Sequence, residues 1–176
     1  MNTKITPDLI DSLQFDELII ATGAKARQLS NIKGLEKVKV INAKDALLHP
    51  EIVGEKVTII GGGLTGIEMA YDMVLSGKQV EVVEMKDSIL GMDVVCAANG
   101  QMLQQIIKYY HIPVHLSASI DHFEEGKVYY TQDNTQHVIE CDTIISSIGY
   151  ISDNQLYDTL KDKYKAVSYT HLTLPT

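Results

Sequence analysis

The run from Lys56 to Glu84, KVTIIGGGLTGIEMAYDMVLSGKQVEVVE, constrains the fold more than any other part of the chain. It opens on Val57, Thr58, Ile59 and Ile60, a short, β-branched and apolar stretch that suits a buried parallel strand. That stretch runs directly into Gly61, Gly63 and Gly66, which fill the three glycine slots of G-x-G-x-x-G. Ile67 to Ser76 then place apolar side chains at helical spacing, Gly77 stops the helix, and Val80 to Val83 read as a second strand ending at Glu84.

Each glycine in this order has its own physical reason. Gly61 permits a sharp turn, Gly63 lets backbone N–H groups approach a pyrophosphate with no Cβ in the way, and Gly66 lets the helix pack close to the strand. The helix start adds unpaired N–H groups and the positive end of a dipole, which favour phosphate. A carboxylate about 20 residues further on can accept both hydroxyls of an adenosine ribose, and Glu84 stands there. A lone G-x-G-x-x-G is weak, but a complete strand, glycine turn, helix, strand and acid predicts a dinucleotide site.

Composition narrows the partners. The net charge of −8 repels a phosphate backbone, and without a basic patch it argues against nucleic acid. No apolar run is long enough to span a membrane, and MNTKITPDLI lacks the apolar core of a signal peptide, so a cytoplasmic setting is expected. Cys96 and Cys141 are too far apart for a C-x-x-C pair and read as reduced, packed thiols. His111 and His115 have the spacing of a helical metal pair, but Pro113 between them breaks the helix that the geometry needs, so no metal is expected.

Around the central unit, Met1 to Gln14 show no period, and Pro7-Asp8 reads as a turn. Leu18 to Ile20 form an apolar strand ahead of Thr22-Gly23. Ala24 to Lys37 read as a polar connector, and Val38 to Ile41 as a brief strand. Asn42 then caps a short helix through Leu48. A helix is expected from about Val94 to Tyr110, weakened in the middle by Gly100, followed by a strand over Ile112 to Leu116. Ser119–Glu124, Lys127–Thr131 and Gln136–Glu140 alternate around Glu125-Gly126 and Asp133-Asn134, the pattern of a three-stranded antiparallel meander. Asp142 to Ile148 returns to an apolar strand ending at Gly149, and Asp153 to Lys161 reads as a helix. Tyr157 and Lys161 have Y-x-x-x-K spacing, but the pair reads as a plain helix surface.

The run Ala21-Thr22-Gly23, the GGGLTGIE of Gly61 to Glu68, the VEVVE ending at Glu84, the meander and the DTIISSIGY of Asp142 to Tyr150 together resemble the pyridine nucleotide-disulfide oxidoreductase superfamily. Within it, IEMAYDMVLSGKQVEVVEM is most similar to the C-terminal part of 2-enoate and 2,4-dienoyl-CoA reductases of the old yellow enzyme group. The resemblance implies an α/β fold with a Rossmann-like parallel sheet and a three-stranded antiparallel β-meander crossover. It also implies a division of the chain: 1–36 as remnant FAD domain and linker, 37–150 as NAD(P)H-binding domain, and 151–165 as the return toward the FAD domain. Residues 166–176, AVSYTHLTLPT, depart from the family's continuation and are expected to be an artefactual or disordered tail.

The activity implied is hydride delivery from a nicotinamide to FAD and onward to a small-molecule redox substrate, with FAD and catalytic domains belonging to a longer chain. Gly61, Gly62, Gly63, Leu64, Thr65 and Gly66 would hold the pyrophosphate and Glu84 the adenosine ribose. Glu68 would lie toward the nicotinamide, and Gly149 would line the cleft. No acid or base is demanded of this segment, because positioning supplies the rate. Glu84 repels a 2′-phosphate and Lys86 lacks the fork of arginine, so NADH is expected over NADPH. The sequence carries neither the first glycine fingerprint for FAD, nor the late G-D motif, nor an iron–sulfur cysteine cluster. The alternative is a free-standing NAD(H)-binding module without catalysis.

Overall fold

The computed structural model describes residues 2–91, 96–164 and 166–168. In chain order its elements are α1 (Pro7–Asp11), β1 (Leu18–Ile20), β2 (Ala24–Ala26), β3 (Val40–Asn42), α2 (Ala43–Leu48), β4 (Lys56–Ile60), α3 (Leu64–Leu75), β5 (Gln79–Val83) and α4 (Ala97–Tyr109). Then come β6 (Val114–His115), β7 (Ser119–Glu124), β8 (Lys127–Gln132), β9 (Thr135–Glu140), β10 (Thr143–Ser146), β11 (Tyr150–Ser152), α5 (Gln155–Leu160) and β12 (Ala166–Ser168). They divide into a larger unit, Ala26–Gly149, and a smaller one made from the described parts of Met1–Lys25 and Tyr150–Thr176.

The larger unit is built on a parallel sheet in the order β3-β10-β4-β5-β6. Its central strands are covered on both faces: β4 is buried from Val57 to Ile60 and β10 throughout. On one face, Val57, Ile59, Val80, Val82 and Ile145 pack with Ile67, Met69, Ala70 and Met73 of α3 and Leu103 and Ile107 of α4. Each such aliphatic side chain taken fully out of water contributes about 1.5–3 kcal/mol. On the other face, Ile60, Val83 and Ile144 meet Phe123, Val128, Tyr130 and Ile139 of the antiparallel β7-β8-β9 meander. The fold class expected from sequence, α/β with a Rossmann-like parallel sheet and an antiparallel meander, is the one observed.

A chain of polar groups also ties the meander to the sheet. A carboxylate only accepts, so His115 Nε2–H donates to Glu81 Oε2 at 2.8 Å, and Nδ1 is left to accept the Tyr130 hydroxyl at 2.9 Å. Burial, and secondarily the nearby Glu81, pushes the Tyr130 phenol above its ordinary pKa, which keeps it a donor.

Several local expectations shift. The polar-looking connector carries core residues: Leu29, Ile32 and Leu35 pack against the core under the meander. Pro7-Asp8 is the first turn of α1 and not an isolated turn: Thr6 caps it, accepting from the Leu9 N–H at 3.3 Å, and proline is favoured at that first position. Asn42 both ends β3 and caps α2, accepting from the Asp45 N–H at 2.9 Å. The strand expected over Ile112–Leu116 pairs only at Val114 and His115. α4 continues through Gly100; the expected start at Val94 lies outside the described residues.

In the smaller unit, Ile10, Ile20 and Leu160 form a small core with Leu18, Leu156, Tyr157 and Tyr164 around it. β2 pairs with β11, and β12 runs parallel to β1, with Leu18 opposite Ala166. Three residues of the expected tail are therefore a paired strand; the rest of it lies outside the described residues. Among the described residues, no helix is long and apolar enough to cross a membrane.

Candidate functional site: the glycine turn at the start of α3

β4 delivers the chain to Gly61 at the carboxyl end of the parallel sheet, the edge where open α/β sheets bind ligands. Gly61 has φ +108, a conformation that side chains rarely adopt, and a Cβ there would run into the Ser147 carbonyl of the strand next door. Its N–H is held by Val83 O at 2.9 Å, and Ser147 N–H is held by Ile60 O at 2.8 Å. The turn is thus clamped between β5 and β10. A Cβ on Gly66 would strike the Gly61 carbonyl oxygen, so the first turn of α3 sits directly on the glycine turn.

Gly63 is different. It is exposed, its backbone is extended at φ −69 and ψ −177, and a Cβ there would meet nothing within 4 Å among the described residues. Among the described residues, no atom requires glycine at this position. The open space lies at the N-terminus of a twelve-residue helix that has no side-chain cap and no acidic residue in its first turn. The N–H groups of Leu64, Thr65 and Gly66 have no carbonyl four residues back within the helix, and the aligned peptide dipoles add partial positive charge there. An anion with several acceptor oxygens is the chemistry that such a terminus suits.

Glu84, the residue after β5, reaches back to this turn. Its Oε2 accepts the Gly62 N–H at 2.5 Å and its Oε1 accepts the Lys86 N–H at 2.8 Å. Gly62 is buried against it: a Cβ there would stand 3.0 Å from the Glu84 Cβ. The glycine turn and the acid expected from sequence are therefore in contact. Glu68 is exposed, one turn into α3. Gly149 lies beyond β10 at φ +93 with nothing within 4 Å of a Cβ among the described residues, and its carbonyl accepts the Arg27 N–H at 2.9 Å.

Two residues at the turn escaped sequence reading. Leu90 is buried, sits at φ +72, and donates its N–H to Gly62 O at 2.9 Å. Ser147 forms the wall beside Gly61. The only signal for Ser147 was its place in the DTIISSIGY run, and for Leu90 its place shortly after Glu84.

The chain belongs to the pyridine nucleotide-disulphide oxidoreductase family, which it matches over residues 5–168. It is 37% identical over 163 residues to the cinnamate reductase of Clostridium sporogenes, covering 92% of this chain and 24% of that protein. It is 27% identical over 150 residues to the dihydrolipoyl dehydrogenase of Mycoplasma genitalium, covering 82% of this chain and 32% of that one. Among solved structures it is similar to a 2-naphthoyl-CoA reductase in complex with 2-naphthoyl-CoA, at 26% identity and a TM-score of 0.83, over 96% of this chain and 26% of that one. The chain thus spans about a quarter to a third of these proteins. The superfamily resemblance read from the glycine run and DTIISSIGY is borne out.

Proposed function

We propose that this chain is the NADH-binding module of a flavin-dependent oxidoreductase related to enoate and dienoyl-CoA reductases, serving to deliver hydride from NADH to FAD. The observation that carries this reading is the room that the described residues leave beside Gly63, at an uncapped helix start, with Glu84 folded against the same turn. Family membership and the similarity to two reductases support the oxidoreductase class.

The chain's own residues have definite tasks in this reading. The N–H groups of Leu64, Thr65 and Gly66 donate to the pyrophosphate, and Gly63 leaves room for the backbone to come close. Gly61, Gly62 and Gly66 hold the turn in shape. Each Glu84 oxygen accepts one backbone N–H and keeps a further lone pair for a ribose hydroxyl. The same carboxylate repels a 2′-phosphate, which favours NADH. Glu68 and Gly149 are assigned to the nicotinamide end by resemblance. Bound NADH supplies the hydride, and the two cofactors carry the chemistry while the protein positions them. FAD, the catalytic domain and the small-molecule substrate are assigned to the remainder of a longer chain.

Titrating the purified chain against NADH and following nicotinamide fluorescence tests the reading. Saturable binding is expected; folded protein that leaves the fluorescence unchanged up to millimolar concentration contradicts it.

A further inference from the structure

The two edges of the meander are built differently. The outer edge of β7 is covered and irregular: Phe123 N–H donates to Lys33 O at 2.8 Å, Lys33 bridges His122, and the register slips between Ile120 and His122. Bulges and coverage of this kind prevent an edge from accepting another strand. β9 has neither. Its register with β8 is unbroken from Gln132–Thr135 to Lys127–Glu140. Its sequence, TQHVIE, contains no proline or lysine and no charge before Glu140.

The direction of its free hydrogen-bonding groups follows from the turn. Asp133 and Asn134, at φ +50 and +59, make a two-residue hairpin turn, so Gln132 and Thr135 form a hydrogen-bonded pair. Thr135, His137 and Ile139 therefore point their N–H and C=O groups at β8, and Gln136, Val138 and Glu140 point theirs outward. Among the described residues, no backbone hydrogen bond takes up these outward groups. The edge opens onto two grooves of about 490 and 480 Å³, both lined by Val138 and Ile139, and Val138 is 51% exposed.

We infer that β9 is a self-association edge, which pairs antiparallel with β9 of a second copy about a two-fold axis through Val138. In that register Val138 meets Val138 of the partner subunit, and Gln136 lies opposite Glu140 of the partner subunit on both sides of the axis. All three outward residues fall on hydrogen-bonding positions at once, giving six new backbone hydrogen bonds from a strand that pairs with itself. A slip by one residue would set outward groups against inward ones. The second copy is favoured over an unrelated strand because this register sets apolar against apolar at the axis and an amide donor against a carboxylate on either side of it. The interface is small and the net charge of −8 opposes it, so the dimer is weak and strengthens with salt.

Sedimentation equilibrium at rising protein concentration and high salt tests the inference. The expected result is a weight-average mass that climbs from 19.5 kDa toward twice that value. Val138→Pro removes one outward donor and leaves the β8 ladder intact; Val138→Lys sets two like charges on the axis. Both are expected to stay at the monomer mass with an unchanged circular dichroism spectrum. As a positive check, Val138→Cys in a Cys96→Ser background should form a disulfide-linked dimer under mild oxidation, since directly paired residues lie about 5.5 Å apart at Cα. A wild-type chain that stays monomeric throughout, or folded Val138 variants that associate as it does, overturns the inference.

Discussion

The Glu84 carboxylate accepts the backbone N–H of Gly62 at 2.5 Å, although 22 residues separate them in sequence. This contact joins the two halves of the expected nucleotide site within the fold itself. It fixes the acid beside the turn, and it means that a substitution at Glu84 alters both the proposed sugar site and the turn proposed to hold the phosphates.

Glu84→Ala is therefore expected to weaken NADH binding about tenfold, the loss of charge-assisted hydrogen bonds. NADPH binding should fall less, because the same change removes a charge that repels its 2′-phosphate. Parallel fluorescence titrations with the two nucleotides read the ratio. An unchanged preference contradicts the ribose role.

Gly66→Ala tests the packing of α3 on the turn. The added methyl would collide with the Gly61 carbonyl, a backbone atom clamped on both sides, so either helix or turn must move. Overpacking of this kind costs about 1–3 kcal/mol, which a urea midpoint measures. No loss would mean that the helix start has more room than the structure gives it.

The two thiols should behave differently. Cys96 is exposed, whereas Cys141 is buried and its burial pushes the thiol pKa up. A disulfide-exchange reagent is expected to titrate one thiol per native chain quickly and the second only after denaturation. Cys96→Ser should abolish the fast reaction; a fast thiol that remains in that variant contradicts the placement of Cys141.

In the smaller unit, hydrogen bonds from Lys163 and Tyr164 hold the Asp11 carboxyl below its usual pKa. A depressed carboxylate stabilises the fold above its unfolded pKa, and that contribution is lost as pH falls through the lower folded value. The melting temperature of the wild type should exceed that of Asp11→Asn at neutral pH, with the difference fading below about pH 4. A difference that grows on acidification contradicts the pairing.

Much of this site was legible because its determinants are local. The spacing of Gly61, Gly63 and Gly66 and the apolar content of β4 and β5 lie within one continuous unit, where periodicity and turn chemistry speak directly. What was not legible depends on strands that meet only in the folded chain. Ser147 stands beside Gly61 because β10 lies next to β4, an adjacency that chain order does not display. Leu29, Ile32 and Leu35 look like connector residues among polar neighbours, and only the meander above the sheet gives them a surface to cover. The brevity of β6 has a similar origin: it is the outermost strand, paired only with β5 over two residues.

Gly63→Val gives the most direct test, since the described residues leave space for a side chain there and a pyrophosphate resting on the turn would not. Titration of NADH into the wild type and the variant, with melting temperature as a control on folding, is predicted to show at least a tenfold loss of affinity at nearly unchanged stability. Equal affinity in a folded variant would place the nucleotide elsewhere and contradict the account.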